Sequence, residues 1–509
     1  MGNNGKKGLA LRAGTLAVVS VLFLLVFSIA TSPLTKYYGA DSAFFILVGQ
    51  GMTKGMLPYR DFFDMKGPYL FLIEYIGQLI CYGRTGAFIV QCLNLFVSLW
   101  IVDCIFRMMV DKPNFWKEMA MMLPWLLVAS FTFDAGNLTE EYSLPWLLLT
   151  VYFTLAYFKQ SDRTGNWQHP VKIGFYYGFA FGVLALIRIT NAAMIGAAIL
   201  TISVGLLIKK EWKNLLSNAG AFLLGCVAAF APMCLFYGCH GLLGEMLHQV
   251  FVFGVQYSLE LSMAEKLARL IAIGLKPLTL CAMLPVLVLA VFRVKNWRYW
   301  VFSLSAFGLL LAATAMGNSY RHYLTLGIPN LTLGLGLLAA QMGRQVPLRR
   351  KTAENVIMGV LLAGLLVIQL PFLRYQIYFF LFELRAAGSD TEALVTDIVE
   401  TIPEEDRSRV YAYGMDSCSD WYFRAGLFPS HRYCDWQAHY IELNPAIGDE
   451  LEDWLAAESP GWIVTPAAYS ITPDQIADVI STHYHEFARN EDYVLYTANS
   501  NTEKESEIK

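Results

Sequence analysis

The segment from Tyr37 to Pro68 carries more ionisable side chains than a connection between two apolar segments needs. Mixed with aromatics and glycines, it contains Asp41, Lys54, Arg60, Asp61, Asp64 and Lys66. A carboxylate can accept a proton during a reaction, and a lysine or arginine can stabilise negative charge on a phosphate. These residue types indicate a site at a membrane surface that acts on a charged substrate. The alternatives are a helix cap for Asp41 and a solvated loop for Asp61, Asp64 and Lys66.

Further ionisable residues lie close to the ends of other apolar segments. They are the acidic pair Glu140 and Glu141 and the basic residues Arg188, Lys276, Arg321 and His322. A charged side chain in lipid is costly without a partner, and cations that face one cavity suit a phosphate or pyrophosphate. A helix start would also explain the two glutamates, and snorkelling to the interface would explain the cations.

The composition is that of a polytopic membrane protein. Of the 509 residues, 56% are hydrophobic and only 16% are charged, which does not suit a soluble domain of this length. No basic block indicates nucleic-acid binding, and no glycine-rich fingerprint of a nucleotide site is present. The histidines have no metal-ligand spacing, so neither a cofactor nor an obligatory metal is predicted.

Eleven apolar segments are long enough, or nearly so, to cross a bilayer. They lie at about 12–31, 86–106, 119–134, 142–158, 173–188, 190–208, 217–237, 270–292, 299–316, 323–342 and 354–373. A short further segment, Tyr69–Tyr82, contains Glu74 and Gln78. If this segment lies at the outer interface, all six basic connections are cytoplasmic, as the positive-inside rule requires. The sequence thus predicts eleven spans in a bacterial plasma membrane, with a cytoplasmic N-terminus and an external C-terminus.

The chain divides into a predicted membrane domain at 1–375 and a soluble domain. The outer loop 32–85 is expected to carry juxtamembrane helices, including an amphipathic one that starts near Asp41. From Arg385 the composition turns polar, and helical and strand-like segments alternate, so we expect an extracytoplasmic α/β domain at 385–500 and a disordered tail at 501–509. Its aromatics Trp421, Tyr422, Trp436 and Tyr440 suit either sugar stacking or a domain core.

Three stretches of this sequence resemble the GT-C glycosyltransferases. The first is GMLPYRDFFDMKGPYLFLIEYIG, which contains Tyr59, Arg60 and Asp61. The second is LTEEYSLPWLLL, and the third is Arg321-His322-Tyr323. The similarity is to the protein-mannosyltransferase-like group, which includes the lipid A aminoarabinose transferase and other family 39 proteins. It extends over about residues 10–340.

The resemblance implies a sugar donor linked to polyprenyl phosphate, its chain among the membrane lipids, and a glycan, lipid or protein acceptor at the outer face. Transfer would be a single inverting displacement at the anomeric carbon. Asp41 matches the first acidic residue of the motif, which acts as a base or positions the acceptor. Lys66 matches a position suited to the donor phosphate, and Glu140 and Glu141 match the second acidic site. Asp41 is followed by Ser42, which argues against a metal held by paired carboxylates.

The other candidates follow from residue type and predicted sidedness. Asp64 joins Asp41, Glu140 and Glu141 as a catalytic candidate, and Arg188, Lys276, Arg321 and His322 join Lys66 as candidates for binding the donor phosphate. The competing functions are a transporter or flippase of a lipid-linked sugar, a glycan polymerase or ligase, and a non-catalytic anchor. A transporter would need ionisable residues along its spans. Charge is instead concentrated at the outer face, which favours an enzyme.

Overall fold

The computed structural model describes residues 3–110, 113–259, 262–274, 276–316, 320–342, 348–385 and 390–501. Up to residue 385 the described chain is helical, and its helices in order are α1 (Asn3–Phe27), α2 (Ala40–Thr53), α3 (Pro68–Ile80), α4 (Arg84–Met109), α5 (Phe115–Thr132), α6 (Thr139–Thr164), α7 (Val171–Arg188), α8 (Ala193–Ile208), α9 (Trp212–Cys239), α10 (Leu243–Leu247), α11 (Gly254–Leu259), α12 (Met263–Gly274), α13 (Pro277–Ala282), α14 (Leu284–Val291), α15 (Trp297–Ala315), α16 (Ile328–Met342) and α17 (Leu348–Arg385). The buried residues lie mainly on α4, α6, α7 and α16.

Seven segments of the described chain are long and apolar enough to cross a membrane. They are Gly8–Phe27, Arg84–Met109, Val171–Ile208, Trp212–Cys239, Trp297–Ala315, Arg321–Met342 and Lys351–Arg385. The longest of them contains both α7 and α8, which are separated by a 3-10 turn at Ile189–Ala192. The polytopic helical architecture is therefore confirmed, while the number of eleven spans remains a prediction.

The predicted span at 270–292 is wrong as a single helix. The described chain from Met263 to Val291 forms three shorter helices, α12, α13 and α14. Pro277 and Pro285 lie in the first turns of α13 and α14. A proline is tolerated there, whereas inside a longer helix its missing N–H would remove a backbone hydrogen bond.

Helix α2 is buried, so the prediction of an amphipathic helix starting near Asp41 is wrong. Its residues from Ser42 to Gly51 are all buried, because α3 packs on one side and the C-terminal domain covers another. Gly49 permits the close approach of α3, since a Cβ at this position would lie 3.0 Å from the Glu74 backbone. Helix α3 begins at Pro68 and exposes apolar residues such as Leu79, as suits a helix at a lipid interface.

The C-terminal domain contains one four-stranded sheet with helices around it. Its elements in chain order are α18 (Asp390–Glu400), β1 (Val410–Ala412), α19 (Cys418–Ala425), α20 (Gln437–Leu443), α21 (Pro445–Ala456), β2 (Trp462–Pro466), α22 (Asp474–His483), β3 (Tyr484–Arg489) and β4 (Tyr493–Ala498). The strand order is β1-β2-β4-β3, with β1 and β2 parallel and the other pairs antiparallel. Strand β3 was not expected, because its polar sequence, YHEFAR, lacks the strand signal of alternating apolar residues. Of the predicted tail, only Asn501 is among the described residues.

The C-terminal domain packs directly on the outer loop of the membrane domain. The Phe63 N–H donates to the Arg432 carbonyl at 2.9 Å, and the Phe63 ring packs against Tyr433 and Tyr440. An ion pair between Lys36 and Glu392, 2.9 Å long, adds a second attachment. The outer loop therefore lies between the helical bundle and the soluble domain.

The predicted orientation can be tested with reporter fusions in a bacterial host. Alkaline phosphatase fused after Lys509 should be active, because its disulfides form only outside the cytoplasm. The same reporter fused before Met1 is the matched control and should be inactive. A fluorescent cytoplasmic reporter should give the opposite pattern, and an active N-terminal phosphatase fusion would contradict the orientation.

Candidate active site

A cavity of about 900 Å³ lies where the membrane domain meets the C-terminal domain. This volume is at the upper end of the range for small-molecule sites. The charged or titratable residues that line the cavity include Asp41, Lys66, Asp134, Glu140, Arg188, Arg321 and His322. The cavity thus brings together candidates from four separate parts of the sequence.

Asp41 lies in the first turn of α2 and is not its cap. The N-cap residue is Gly39, whose φ of 69° is easily reached by glycine. The Asp41 side chain is one-third exposed, and its Oδ1 lies 3.5 Å from the Lys66 Nζ. Burial disfavours its charge, but Lys66, His322 and Arg188 outweigh burial and hold the pKa of Asp41 below its ordinary value. An ionised carboxylate therefore faces the cavity.

Lys66 is a cation of the cavity wall that lies between two carboxylates. Its Nζ lies 3.5 Å from both Asp41 and the buried Asp64. The rings of Phe45 and Trp436 are also close, with centroids 5.6 and 5.1 Å from Nζ. Burial opposes the charge on Lys66, but the two carboxylates dominate and raise the pKa of its ammonium group. Burial raises the pKa of Asp64 even though Lys66 opposes this shift.

The backbone around Lys66 is held by buried polar contacts. The Tyr59 hydroxyl donates to the Lys66 carbonyl at 2.9 Å. Gln249 donates to the Tyr59 carbonyl at 3.0 Å and accepts the Asp64 N–H at 3.2 Å. Tyr59 has a φ of 71°, which is unusual for a bulky residue. Tyr59 therefore positions Lys66 and does not line the cavity itself.

Arg60 and Asp61 stabilise the preceding turn and lie outside the cavity. The Asp61 carboxylate accepts the Leu57 N–H at 2.6 Å and pairs with the Arg60 guanidinium at 2.7 Å. Arg60 is exposed. The structure thus separates Asp61 from Asp41 and Asp64, although the three carboxylates are close in sequence.

The two adjacent glutamates at the start of α6 have different environments. Glu140 faces the cavity and forms an ion pair with Arg188 at 3.0 Å. The Arg188 guanidinium also lies 4.1 Å from the centroid of the Tyr323 ring. Glu141 points away, into the bundle, where it accepts a hydrogen bond of 2.9 Å from Gln91. Glu140, and not Glu141, is therefore placed to contact a substrate.

Asp134 is a cavity residue that the sequence analysis did not single out. It pairs with Arg321, and its Oδ2 lies 3.3 Å from the His322 Nδ1. Residues 134–137 all have positive φ, between 48° and 95°. This left-handed turn aims Asp134 into the cavity, and Asn137 at its end donates to the Ser42 hydroxyl at 3.1 Å. The sequence did carry a signal for this turn, because residues 134–137 read DAGN and Asp, Gly and Asn are common in turns.

Two further expectations concern Lys276 and a metal. Lys276 precedes α13 and does not line the cavity. Within the described part of the chain, no group of three or more His, Cys, Asp and Glu side chains could hold a metal ion. Whether the protein needs a metal remains a matter of prediction.

The fold is similar to that of solved membrane-protein structures. ArnT from Cupriavidus metallidurans bound to undecaprenyl phosphate aligns with a TM-score of 0.61 and 13% identity, over 96% of this chain and 98% of that chain. The apo state of ArnT aligns with a TM-score of 0.55 and 12% identity, over 95% and 98%. ArnT belongs to the GT-C group that the sequence resembles, so the fold implied by that resemblance is confirmed. No protein-family model and no curated protein matches the chain.

Gly67 offers a test of how the two sides of the cavity are held together. Its N–H donates to the Ile187 carbonyl at 2.9 Å, and a Cβ at this position would lie 2.1 Å from the Leu186 carbonyl oxygen. Gly67→Ala should therefore destabilise the protein by about 1–3 kcal/mol through overpacking. Thermal unfolding in detergent measures the effect. Gly244→Ala is the control, because nothing lies within 4 Å of its new Cβ. Equal melting temperatures for both variants would contradict this packing.

Proposed function

We propose that this protein is a membrane glycosyltransferase that moves a sugar from a polyprenyl-phosphate donor to an acceptor at the outer face of the membrane. The observation that carries the proposal is the pairing of Asp41 with Lys66, 3.5 Å apart, in the wall of the cavity. A displacement at an anomeric carbon needs a base for the acceptor hydroxyl and a cation for the leaving phosphate. The fold shared with ArnT, which was solved with undecaprenyl phosphate, supports a lipid-linked donor.

In this proposal the acceptor oxygen attacks the anomeric carbon as the bond from that carbon to the phosphate oxygen breaks. Asp41 takes the proton of the acceptor hydroxyl, or orients that hydroxyl. The electron pair of the broken bond stays on the phosphate, where Lys66 and Arg188 stabilise the negative charge. Glu140 holds Arg188 in place and can accept a hydrogen bond from a sugar hydroxyl.

Arg321 and His322 form the second basic group of the cavity. They share Asp134 as their anionic partner, and the Arg321 guanidinium lies 5.0 Å from the Phe131 ring centroid. In the proposed reaction they add positive potential around the donor phosphate. We place them in a supporting role because their ion-pair partner is Asp134 and not Asp41.

The buried charges elsewhere favour an enzyme over a transporter. Asp103 on α4 pairs with Arg12 at 2.6 Å and with Arg107 at 2.8 Å. These two arginines belong to the predicted cytoplasmic connections, so this cluster satisfies its own charges at the end opposite the cavity. Glu74 is buried on α3 beside α2. Neither carboxylate supports a charged path across the bundle, which a transporter would need.

Asp41→Asn tests the base. Removing the carboxylate should lower the rate of sugar transfer by about 10²–10⁴-fold, the usual contribution of a general base. The first measurement is the transfer of labelled sugar from host lipid-linked donors by the purified protein in liposomes. The second is the amount of lipid-linked donor in cells, which should accumulate when transfer stops. Asp61→Asn is the matched control and should retain most of the activity, because Asp61 lies outside the cavity. Unchanged transfer by Asp41→Asn would contradict the assignment.

Lys66→Met tests the binding of the donor phosphate. Loss of this charge-assisted contact should weaken the affinity for undecaprenyl phosphate by about tenfold or more. Lys66→Arg keeps the charge beside Asp64 and should bind more tightly than Lys66→Met. Lys54→Met, at the exposed end of α2, is the control. Equal affinities of Lys66→Met and the wild type for undecaprenyl phosphate in a direct binding assay would exclude this role.

A further inference from the structure

The structure separates the aromatic residues of the C-terminal domain into two groups. Trp421 and Tyr422 are almost completely buried and belong to the domain core. Trp436 is half-buried and lines the cavity together with His439 and Tyr440. Only the second group can reach a substrate that sits beside Asp41 and Lys66.

The backbone at Trp436 is strained in a way that delivers its side chain to the cavity. Trp436 has φ 47° and ψ 32°, a left-handed conformation that costs a bulky residue free energy. Asp435 compensates, because its carboxylate accepts the N–H groups of Trp436, Cys418 and Ser419, each at 3.1 Å. The fold therefore maintains this left-handed conformation at a residue whose side chain lines the cavity.

The indole ring of Trp436 extends from the soluble domain to the membrane domain. Its centroid lies 5.4 Å from that of Phe44 on α2, with the two planes at 56°. The Lys66 Nζ lies 5.1 Å from the indole centroid. These contacts fix the ring beside the candidate base, while part of the ring remains open to the cavity.

His439 adds a polar group to the same wall. Trp436 is the N-cap residue of α20 and His439 lies in the first turn of that helix, and both side chains line the cavity. The His439 ring also packs edge-to-face against the Tyr257 ring, with centroids 5.7 Å apart and planes at 87°. An apolar ring with hydrogen-bonding groups close by is a surface suited to a pyranose. One face of such a sugar presents C–H groups to the negative face of an aromatic ring, while its hydroxyls point outward.

We propose that Trp436 and His439 form an acceptor subsite, and that the group it binds is a saccharide whose ring packs on the indole of Trp436. This inference rests on the proposed glycosyl transfer. It narrows the acceptor from a glycan, lipid or protein to a molecule with a sugar at its reacting end. It also gives the C-terminal domain a direct part in the site, since that domain supplies one wall of the cavity.

The test uses the full-length protein in liposomes with labelled lipid-linked donor and a glycolipid fraction of the host envelope as acceptor. Trp436→Ala should raise the KM for this fraction about tenfold, while the KM for the lipid-linked donor and the affinity for undecaprenyl phosphate each change less than about twofold. Trp436→Phe should give an intermediate KM, because it keeps a smaller ring. Tyr469→Ala is the control, since Tyr469 is exposed on the same domain.

Each other outcome has a defined meaning. A tenfold loss of the affinity for undecaprenyl phosphate in Trp436→Ala would overturn the proposal, because the ring would then act only by positioning Lys66. A tenfold rise in the KM for the lipid-linked donor would overturn it too, because the ring would then bind the donor sugar. An unchanged KM for the acceptor fraction would overturn it as well. If the wild type transfers no sugar at all, the proposed function fails together with the subsite. If the wild type transfers sugar but Trp436→Ala behaves like the wild type, only the subsite fails.

Discussion

The rest of the site depends on the two ion pairs that the Lys66 ammonium group forms with Asp41 and Asp64. Asp64 is buried, and a buried carboxylate is costly unless a cation neutralises it. Lys66 meets this need and still faces the cavity, so in the proposed reaction one residue serves both the stability of the outer loop and the binding of the donor phosphate. The C-terminal domain contacts the loop at the neighbouring Phe63, and Gln249 of the membrane domain accepts the Asp64 N–H.

Rigidity around this ion cluster comes from backbone conformations that most residues avoid. Tyr59, the turn at 134–137 and Trp436 all have positive φ, and each directs a side chain or a carbonyl toward the cavity or its wall. Such conformations persist only where the surrounding contacts enforce them. Here the contacts come from Gln249 for Tyr59, from Ser42 for the turn, and from Asp435 for Trp436. These particular strained positions lie where groups from distant parts of the chain converge on the cavity.

The sequence was informative where charge stands next to apolar segments. Asp41, Lys66, Glu140 and Arg188 could be singled out because ionisable groups at a membrane surface need a reason to be there. The direction of Glu141 could not be inferred, since which of two adjacent side chains faces the cavity depends on how α6 packs against α4. Trp436 could be named only as one of several aromatics. Its separation from Asp41 in the chain gave no sign that docking of the C-terminal domain would bring the two together.

The pairing of base and cation also has a consequence for the proposed reaction. Without substrate, Lys66 stabilises the charge on Asp41 and so makes it a weaker proton acceptor. A donor phosphate at Lys66 adds negative charge close to Asp41 and competes for the same ammonium group. Both changes raise the proton affinity of Asp41, and they do so only when the donor is present. In the proposed reaction, donor binding therefore strengthens the base, so that Asp41 takes the proton of the acceptor hydroxyl most readily while the donor is bound.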